Sequence, residues 1–321
     1  MTEGPTEPGA TGHGSAAGPL LRRLFRRPAA IAALVLVVPP IVAGLLAGQI
    51  APGNPKAQAY PTFRPPSGEF LMGTDNEGRA MLAMVVHGLS TSLVTVVSVV
   101  AISAVIGVAV GALSGYRGGV VDSLLMRIVD MVQAVPSFFL AIVAFAVLGS
   151  GQDKLIILLG LTSWTPLARV VRAQVLSVKR REFVQAARSL GSSGTRTVLR
   201  HVLPNVVPAV VVLLPLLASR VVLIEAGLAF LGLGDPNRLS LGYLISNAQP
   251  HLQYYWWMSV FPGLVLTSLV LGFNLLGDAF NDLLNRASGG SVLIDRASPA
   301  RSRGTRVDDP AGSIEVSAAI D

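Results

Sequence analysis

The sequence predicts an all-α polytopic membrane protein with six transmembrane helices. Three observations carry that prediction. The 321 residues are 51% hydrophobic and only 13% charged, with a mean hydropathy of +0.60, whereas about a quarter of a soluble globular chain is charged. Apolar stretches of roughly 20 residues or more recur, long enough at about 1.5 Å per residue to cross a hydrocarbon core of about 30 Å. The basic residues, finally, collect on alternate connecting segments instead of spreading evenly, as a membrane topology requires.

Residues 1–19 are rich in Gly, Pro, Thr and Ser with almost nothing apolar to bury, and are expected to be a disordered tail. The membrane domain then runs over 20–286, with spans expected at 29–50, 85–113, 123–148, 155–175, 206–231 and 258–283. The first span follows Arg22, Arg23, Arg26 and Arg27, and Arg22-Arg23-Leu24-Phe25 looks like part of a twin-arginine export signal. A cleaved leader is therefore the alternative for this stretch, but its apolar run is longer than a signal core and five more spans follow. Residues 287–321 have the character of a second disordered tail.

Sorting charge by loop orients the chain. With both termini in the cytoplasm, the inner segments carry Arg22, Arg23, Arg26, Arg27, Arg117, Arg127, Lys179, Arg180, Arg181, Arg188, Arg196, Arg200 and Arg286; the outer ones carry Lys56, Arg64, Arg79, Lys154 and Arg238. Thirteen against five obeys the positive-inside rule. Arg169 and Arg172, near the inner end of the fourth span, are expected to snorkel to the same side. The net charge of +7 thus reads as an orientation signal beside lipid, not as a nucleic-acid footprint.

Two outer loops are long, 51–84 and 232–257. In the first, Thr74-Asp75-Asn76-Glu77 has the form of a capping box and predicts a helix starting at Thr74. The second holds Tyr243, Tyr254, Tyr255, Trp256 and Trp257, either an interfacial belt or a ligand cage.

Several chemistries are excluded. The chain has no cysteine, so it forms no disulfide or thiolate metal site, and its histidines at 13, 87, 201 and 251 lack metal-site pairing. No Gly-x-x-x-x-Gly-Lys-[Ser/Thr] phosphate cradle and no Gly-x-Ser-x-Gly nucleophile elbow occurs. The chain is expected to be no enzyme and to bind no cofactor of its own.

The segment 177–205 is the most informative. Phe183, Ala186, Ala187 and Leu190 fall at i, i+3, i+4 and i+7, one face of a short helix, and Gly191 stands where a glycine ends one. A second short helical piece, 195–201, leads to Leu203-Pro204. The apolar stripe with its small alanines suits insertion into a groove on another protein. A helix lying in the headgroups, its arginines on anionic lipid, is the alternative.

Gln185-Ala186-Ala187, with Gly191 six positions and Leu203-Pro204 eighteen and nineteen positions after Gln185, resembles the EAA loop of bacterial ABC importer permeases. Gln185 replaces the usual glutamate, and His201 stands where isoleucine is usual; the run His201-Val202-Leu203-Pro204-Asn205 is similar to that of the dipeptide and oligopeptide branch. Gly73-Thr74-Asp75, Gly115 to Gly119, Val135-Pro136-Ser137, Glu225 to Leu228, Phe230 to Gly234, Phe261-Pro262-Gly263 and Asn274 to Asp278 resemble blocks of its C-type permease, in order over about 20–286. After Gly234 the chain is shorter than is usual for that branch, and Ala80 replaces a common aspartate, both on the outer face.

The resemblance implies the type I ABC importer permease fold in a bacterial cytoplasmic membrane. It implies a second homologous permease, two cytoplasmic ATPases that carry the ATP and Mg, and an extracytoplasmic substrate-binding protein as partners. It assigns ATPase docking to Phe183, Gln185, Ala186, Ala187, Leu190 and Gly191, and import of short peptides to the assembly. Nickel, glutathione or another small solute is the alternative cargo in the same superfamily. A self-contained secondary transporter is the alternative from another class, although no convincing repeat relates residues 29–148 to 155–283.

Charge inside a span is costly and marks candidate sites. Arg220 lies near the middle of the fifth span and Glu225 follows five residues later, about 140° around the helix, so the two need not face each other. Both are candidates for the translocation path. Arg220 either makes a structural pair, with Glu225 of the partner subunit, Asp130 or a backbone carbonyl, or lines the path and meets an anionic group such as a peptide carboxylate. Pro136, Pro166, Pro204, Pro208 and Pro215 are expected to bend their helices, which serves either gating or packing.

Overall fold

The computed structural model describes residues 28–288 apart from 236, with the side chains of 285–288 left aside. The predicted N-terminal tail, Arg22, Arg23, Arg26 and Arg27, and the predicted C-terminal tail beyond Ser288 lie outside the described residues, as does the side chain of Arg286. Among the described residues the regular structure is helical. In chain order it comprises α1 (Pro28–Leu45), α2 (Ala47–Ile50), α3 (Met81–Arg117), α4 (Gly119–Ala134), α5 (Ser137–Leu148), α6 (Gln152–Thr162), α7 (Thr165–Val178), α8 (Glu182–Ser189) and α9 (Gly194–Thr197). A π-helical turn, Val198–Val202, leads into α10 (Leu203–Phe230), followed by α11 (Leu241–Ala248) and α12 (Trp257–Ser288).

Five helices are long and apolar enough to cross a membrane, with α6 and α7 joined as Gln152–Val178. The sixth candidate is the pair α4 and α5, bent by 74°. The third predicted span, 123–148, is therefore broken at Val135-Pro136, and its helix starts earlier, at Gly119. Proline accounts for the break: Pro136 has no N–H to donate, its ring disfavours the helical conformation for Val135, and Val135 is extended. The other prolines act differently. Pro166 occupies the first turn of α7, where no backbone donor is needed, while Pro204 follows the π-helical turn Val198–Val202 and Pro208 and Pro215 are carried inside α10.

Large apolar side chains such as Val35, Val105 and Val147 stay more than 60% exposed, as expected where lipid rather than water is the solvent. What α3 buries is set by small residues. Gly107, Gly111 and Gly115, four apart, face α7: a Cβ on Gly111 would lie 2.5 Å from the Ala168 carbonyl oxygen, and one on Gly115 2.8 Å from that of Arg172. The two backbones touch directly, the close approach that small-residue spacing permits in membranes. α10 packs beside α12, and α12 beside α1.

The bundle has two distinct ends. At one, Phe63 stacks on Tyr255 at 3.9 Å between ring centroids, and the Trp257 indole donates to the Thr74 carbonyl at 3.0 Å, so the loops 51–80 and 232–257 pack together. The predicted helix start at Thr74 is not there. The Thr74 hydroxyl donates to the Pro61 carbonyl and accepts from the Arg64 amide, and the helix begins at Met81. Buried Asp75 instead folds the turn, accepting from the amides of Glu77 and Arg79 and pairing with Arg79 Nε at 2.5 Å. Burial pulls the Arg79 pKa down, but the hydrogen bond and charge of Asp75, with Glu77 and Tyr243, outweigh it and hold the group above its ordinary value. The aromatic residues divide: Tyr255 and Trp257 pack the two loops, whereas Tyr254 and Trp256 are exposed as an interfacial belt requires. At the other end lie the ends of α3 and α7 and the segment 179–202, rich in Arg and Lys.

Candidate coupling helix and intramembrane charges

Segment 179–202 is built from α7 outward. Leu167, Val171, Val175 and Val178 line one side of α7 and are buried with Val202 and Val206. The Lys179 ammonium donates to the Tyr116 carbonyl, so the chain leaves α7 against the end of α3. α8 follows, with Glu182 in its first turn and Arg188 in its last, both signs suited to the helix dipole. It ends in a Schellman motif: Gly191 N–H donates to the Arg188 carbonyl, Ser192 N–H to the Ala187 carbonyl, and Gly191 takes φ +82°, which glycine adopts without strain.

One side chain, Val184, is fully buried in the same cluster as Val178 and Val206. Arg188 lies beside it on the wheel, its guanidinium 4.8 Å from the centre of the Tyr116 ring, a cation–π contact. Phe183, Ala186 and Leu190 are about 120° away and point outward, Phe183 42% and Leu190 89% exposed. Ala187 sits on the border, half-buried. Gln185 is exposed and donates to the Arg180 carbonyl at 3.0 Å. The apolar stripe is thus not the face that holds α8 to its own chain. Val184 does that, and the stripe is presented to something else.

The two intramembrane candidates do not meet. Arg220 is exposed and lines a cavity of about 170 Å³ with Ser163, Pro166 and Leu167 and with Leu213, Leu214, Leu216 and Leu217 of α10. The structure removes the in-chain pairing expected for it. Asp130 is held by Arg169 at 2.6 Å, and among the described residues no carboxylate lies within ion-pair reach of Arg220. Glu225 is buried, 4% exposed, and accepts a hydrogen bond from the Ser92 hydroxyl at 3.1 Å. The same Ser92 oxygen accepts from Leu241 N–H, and Ser240 caps α11 by accepting from Tyr243 N–H. Glu225 therefore ties α3 and α10 together, and through Ser92 the start of α11, while Arg220 faces the cavity and, among the described residues, has no ion-pair partner.

The model of the family described as "Binding-protein-dependent transport system inner membrane component" matches residues 107–289. Three relatives agree over most of the chain. The oligopeptide transport system permease protein OppC of Bacillus subtilis is 37% identical over 223 residues, 69% of this chain and 73% of its own length. The dipeptide transport system permease protein DppC of Lactococcus lactis is 38% identical over 235 residues, 73% of this chain and 67% of its own. DppC of Bacillus subtilis is 32% identical over 267 residues, 82% and 83%. The chain belongs to this family.

It is a permease subunit of an ATP-driven ABC importer, a multi-pass inner-membrane protein that works with ATPases and a substrate-binding protein. In this permease the charges that sequence reasoning missed lie between α4 and α7. Arg172 is expected from sequence to snorkel, yet Nε and a terminal nitrogen grip the two oxygens of Asp122 at 2.5 and 2.6 Å, and Ser114 donates to the same carboxylate. Arg169 pairs with Asp130 through a single contact, a terminal nitrogen to one carboxylate oxygen at 2.6 Å. The available signal is spacing: Asp122 and Asp130 are eight apart on α4, two turns on one face, and Arg169 and Arg172 are three apart on α7. What sequence does not show is that these two faces meet.

Proposed function

We propose that this permease moves short peptides into the cytoplasm by alternating access, with a second homologous permease and two cytoplasmic ATPases that hold the ATP and Mg. The observation that carries the coupling half of this reading is the outward apolar stripe of α8, a helix anchored to its own chain by Val184 and therefore able to transmit force. Phe183, Gln185, Ala186, Ala187, Leu190 and Gly191 form the ATPase-docking surface. Closure of the ATPases on ATP displaces α8, and the continuous helical path Gly194–Phe230 delivers that displacement to the membrane interior. The basic end faces the cytoplasm, and the end bearing the packed loops and Trp257 receives the binding protein.

The names of the relatives support peptides as the cargo. Arg220, which has no ion-pair partner among the described residues, supports a path that meets the peptide carboxylate, since a guanidinium recognises a carboxylate by paired hydrogen bonds. Glu225 serves that path from behind, by fixing α10 against α3 and α11. Proteoliposomes holding the whole importer and its binding protein test the proposal. Uptake of a dipeptide depends on ATP and on both partners, and this chain alone gives none. Arg220→Gln abolishes uptake of peptides with a free carboxylate and spares C-terminally amidated ones. Equal loss of both, with poor assembly, makes Arg220 a structural residue and removes the path assignment.

A further inference from the structure

Between α3 and the chain that joins α9 to α10 runs a trough of about 830 Å³. On α3 it extends from Ala104 to Arg117, about 20 Å along the helix axis. That is somewhat more than half of a hydrocarbon core of roughly 30 Å. Leu199 and Leu203 form part of the opposite wall, and the lining is apolar until its last turn, where Tyr116 and Arg117 stand. Lys179 and Arg188 are engaged with Tyr116. Arg117 is exposed and, among the described residues, has no ion-pair or hydrogen-bond partner.

We propose that the trough holds an acyl chain of an anionic phospholipid, with the phosphodiester on Arg117. Three features select this occupant. The trough is one leaflet deep, the reach of a lipid chain, whereas a transmembrane helix of the second permease needs a groove through the whole core. Arg117, the one cation that lines it among the described residues, stands at the mouth, where a headgroup lies, and exposed Arg196 and Arg200 on the neighbouring segment add to the positive field. Basic pockets between transmembrane helices are where anionic headgroups bind. The lipid fills the space beside residues 194–203, the piece that joins α8 to α10. Its occupancy therefore stiffens the lever between the coupling helix and the membrane interior.

Native mass spectrometry of the purified importer, titrated with phosphatidylglycerol or phosphatidylcholine of matched chains, tests this. Wild type retains phosphatidylglycerol in preference. Arg117→Gln weakens that binding about fivefold, the factor one basic residue near an anionic surface contributes, and leaves phosphatidylcholine unchanged; Arg117→Lys keeps the preference. Ala109→Trp, which fills the trough, lowers binding of both lipids. Equal retention of the two lipids by wild type, or an Arg117→Gln complex with unaltered preference, overturns the proposal. The chain has no cysteine, so a photoreactive label on a single Leu199→Cys reports what adjoins the trough. Adducts with lipid support the assignment, and adducts only with the second permease refute it.

Discussion

Val184 and Leu190 lie six residues apart on one short helical segment and are assigned opposite jobs, which makes them a sharp pair of perturbations. Leu190 is 89% exposed in this chain. Truncating it to alanine removes almost nothing from the permease's own packing, so its stability changes by about 0.5 kcal/mol or less. If the ATPase buries that side chain, the loss on its side is about 2 kcal/mol at roughly 0.8 kcal/mol per methylene, or about 30-fold in affinity. Val184 is 0% exposed among Val178, Val202 and Val206. Val184→Ala removes two buried methyl groups and leaves a small cavity, costing the permease about 2 kcal/mol of its own stability. Two measurements separate the cases: tryptophan-monitored melting of the purified permease in detergent, and titration of the ATPase into the permease pair in nanodiscs. Leu190→Ala leaves melting unchanged and weakens ATPase binding; Val184→Ala lowers the melting temperature by several degrees. Equal melting losses for the two variants, or ATPase affinity within twofold of wild type for Leu190→Ala, would falsify the division of faces on α8.

Gly111→Val places a branched side chain where a Cβ already lies 2.5 Å from the Ala168 oxygen, so overpacking of α3 on α7 costs about 1–3 kcal/mol, read as reduced melting and poorer assembly. Asp122→Asn removes the charge that pairs with the partly exposed Arg172, at a cost of about 2 kcal/mol; protease cleavage near the Val135-Pro136 bend increases, and exchanging the two charges, Asp122→Arg with Arg172→Asp, restores part of the loss. Arg79→Met strands the buried Asp75 carboxylate, again on the order of 3 kcal/mol, and speeds amide exchange in loop 60–80. Because the Arg79 pKa is raised above its unfolded value, its contribution is fully present below the unfolded pKa. It is lost only as pH rises through the still higher folded one, so wild-type protection of that loop is flat between about pH 6 and pH 9.

Features set by a few neighbouring residues are legible in the sequence. The helix over 182–189 follows from apolar period, its end from Gly191, and the crossing stretches from apolar length. Features that need a second segment are not. Thr74-Asp75-Asn76-Glu77 has the letters of a capping box, but Pro61 and Arg64 take the Thr74 hydroxyl, and the helix waits until Met81. Arg169 and Arg172 look like cations reaching for water until α4 brings Asp130 and Asp122 against them. Val184 falls just off the stripe that periodicity picks out and carries the anchoring contact because α7 and α10 close over it.

By itself, then, the sequence determined that the chain lives in lipid, where its spans lie, and where a short amphipathic helix interrupts them. Hydrophobic transfer and backbone conformational preference act over a single turn or a single crossing, so composition and period are enough. Only the tertiary structure decided which face of that helix is left free, and that Glu225 closes a polar cluster while Arg220, among the described residues, has no ion-pair partner. A charge or an apolar face acquires its role from the group opposite it, and that group comes from another helix whose placement is a property of the whole packed bundle.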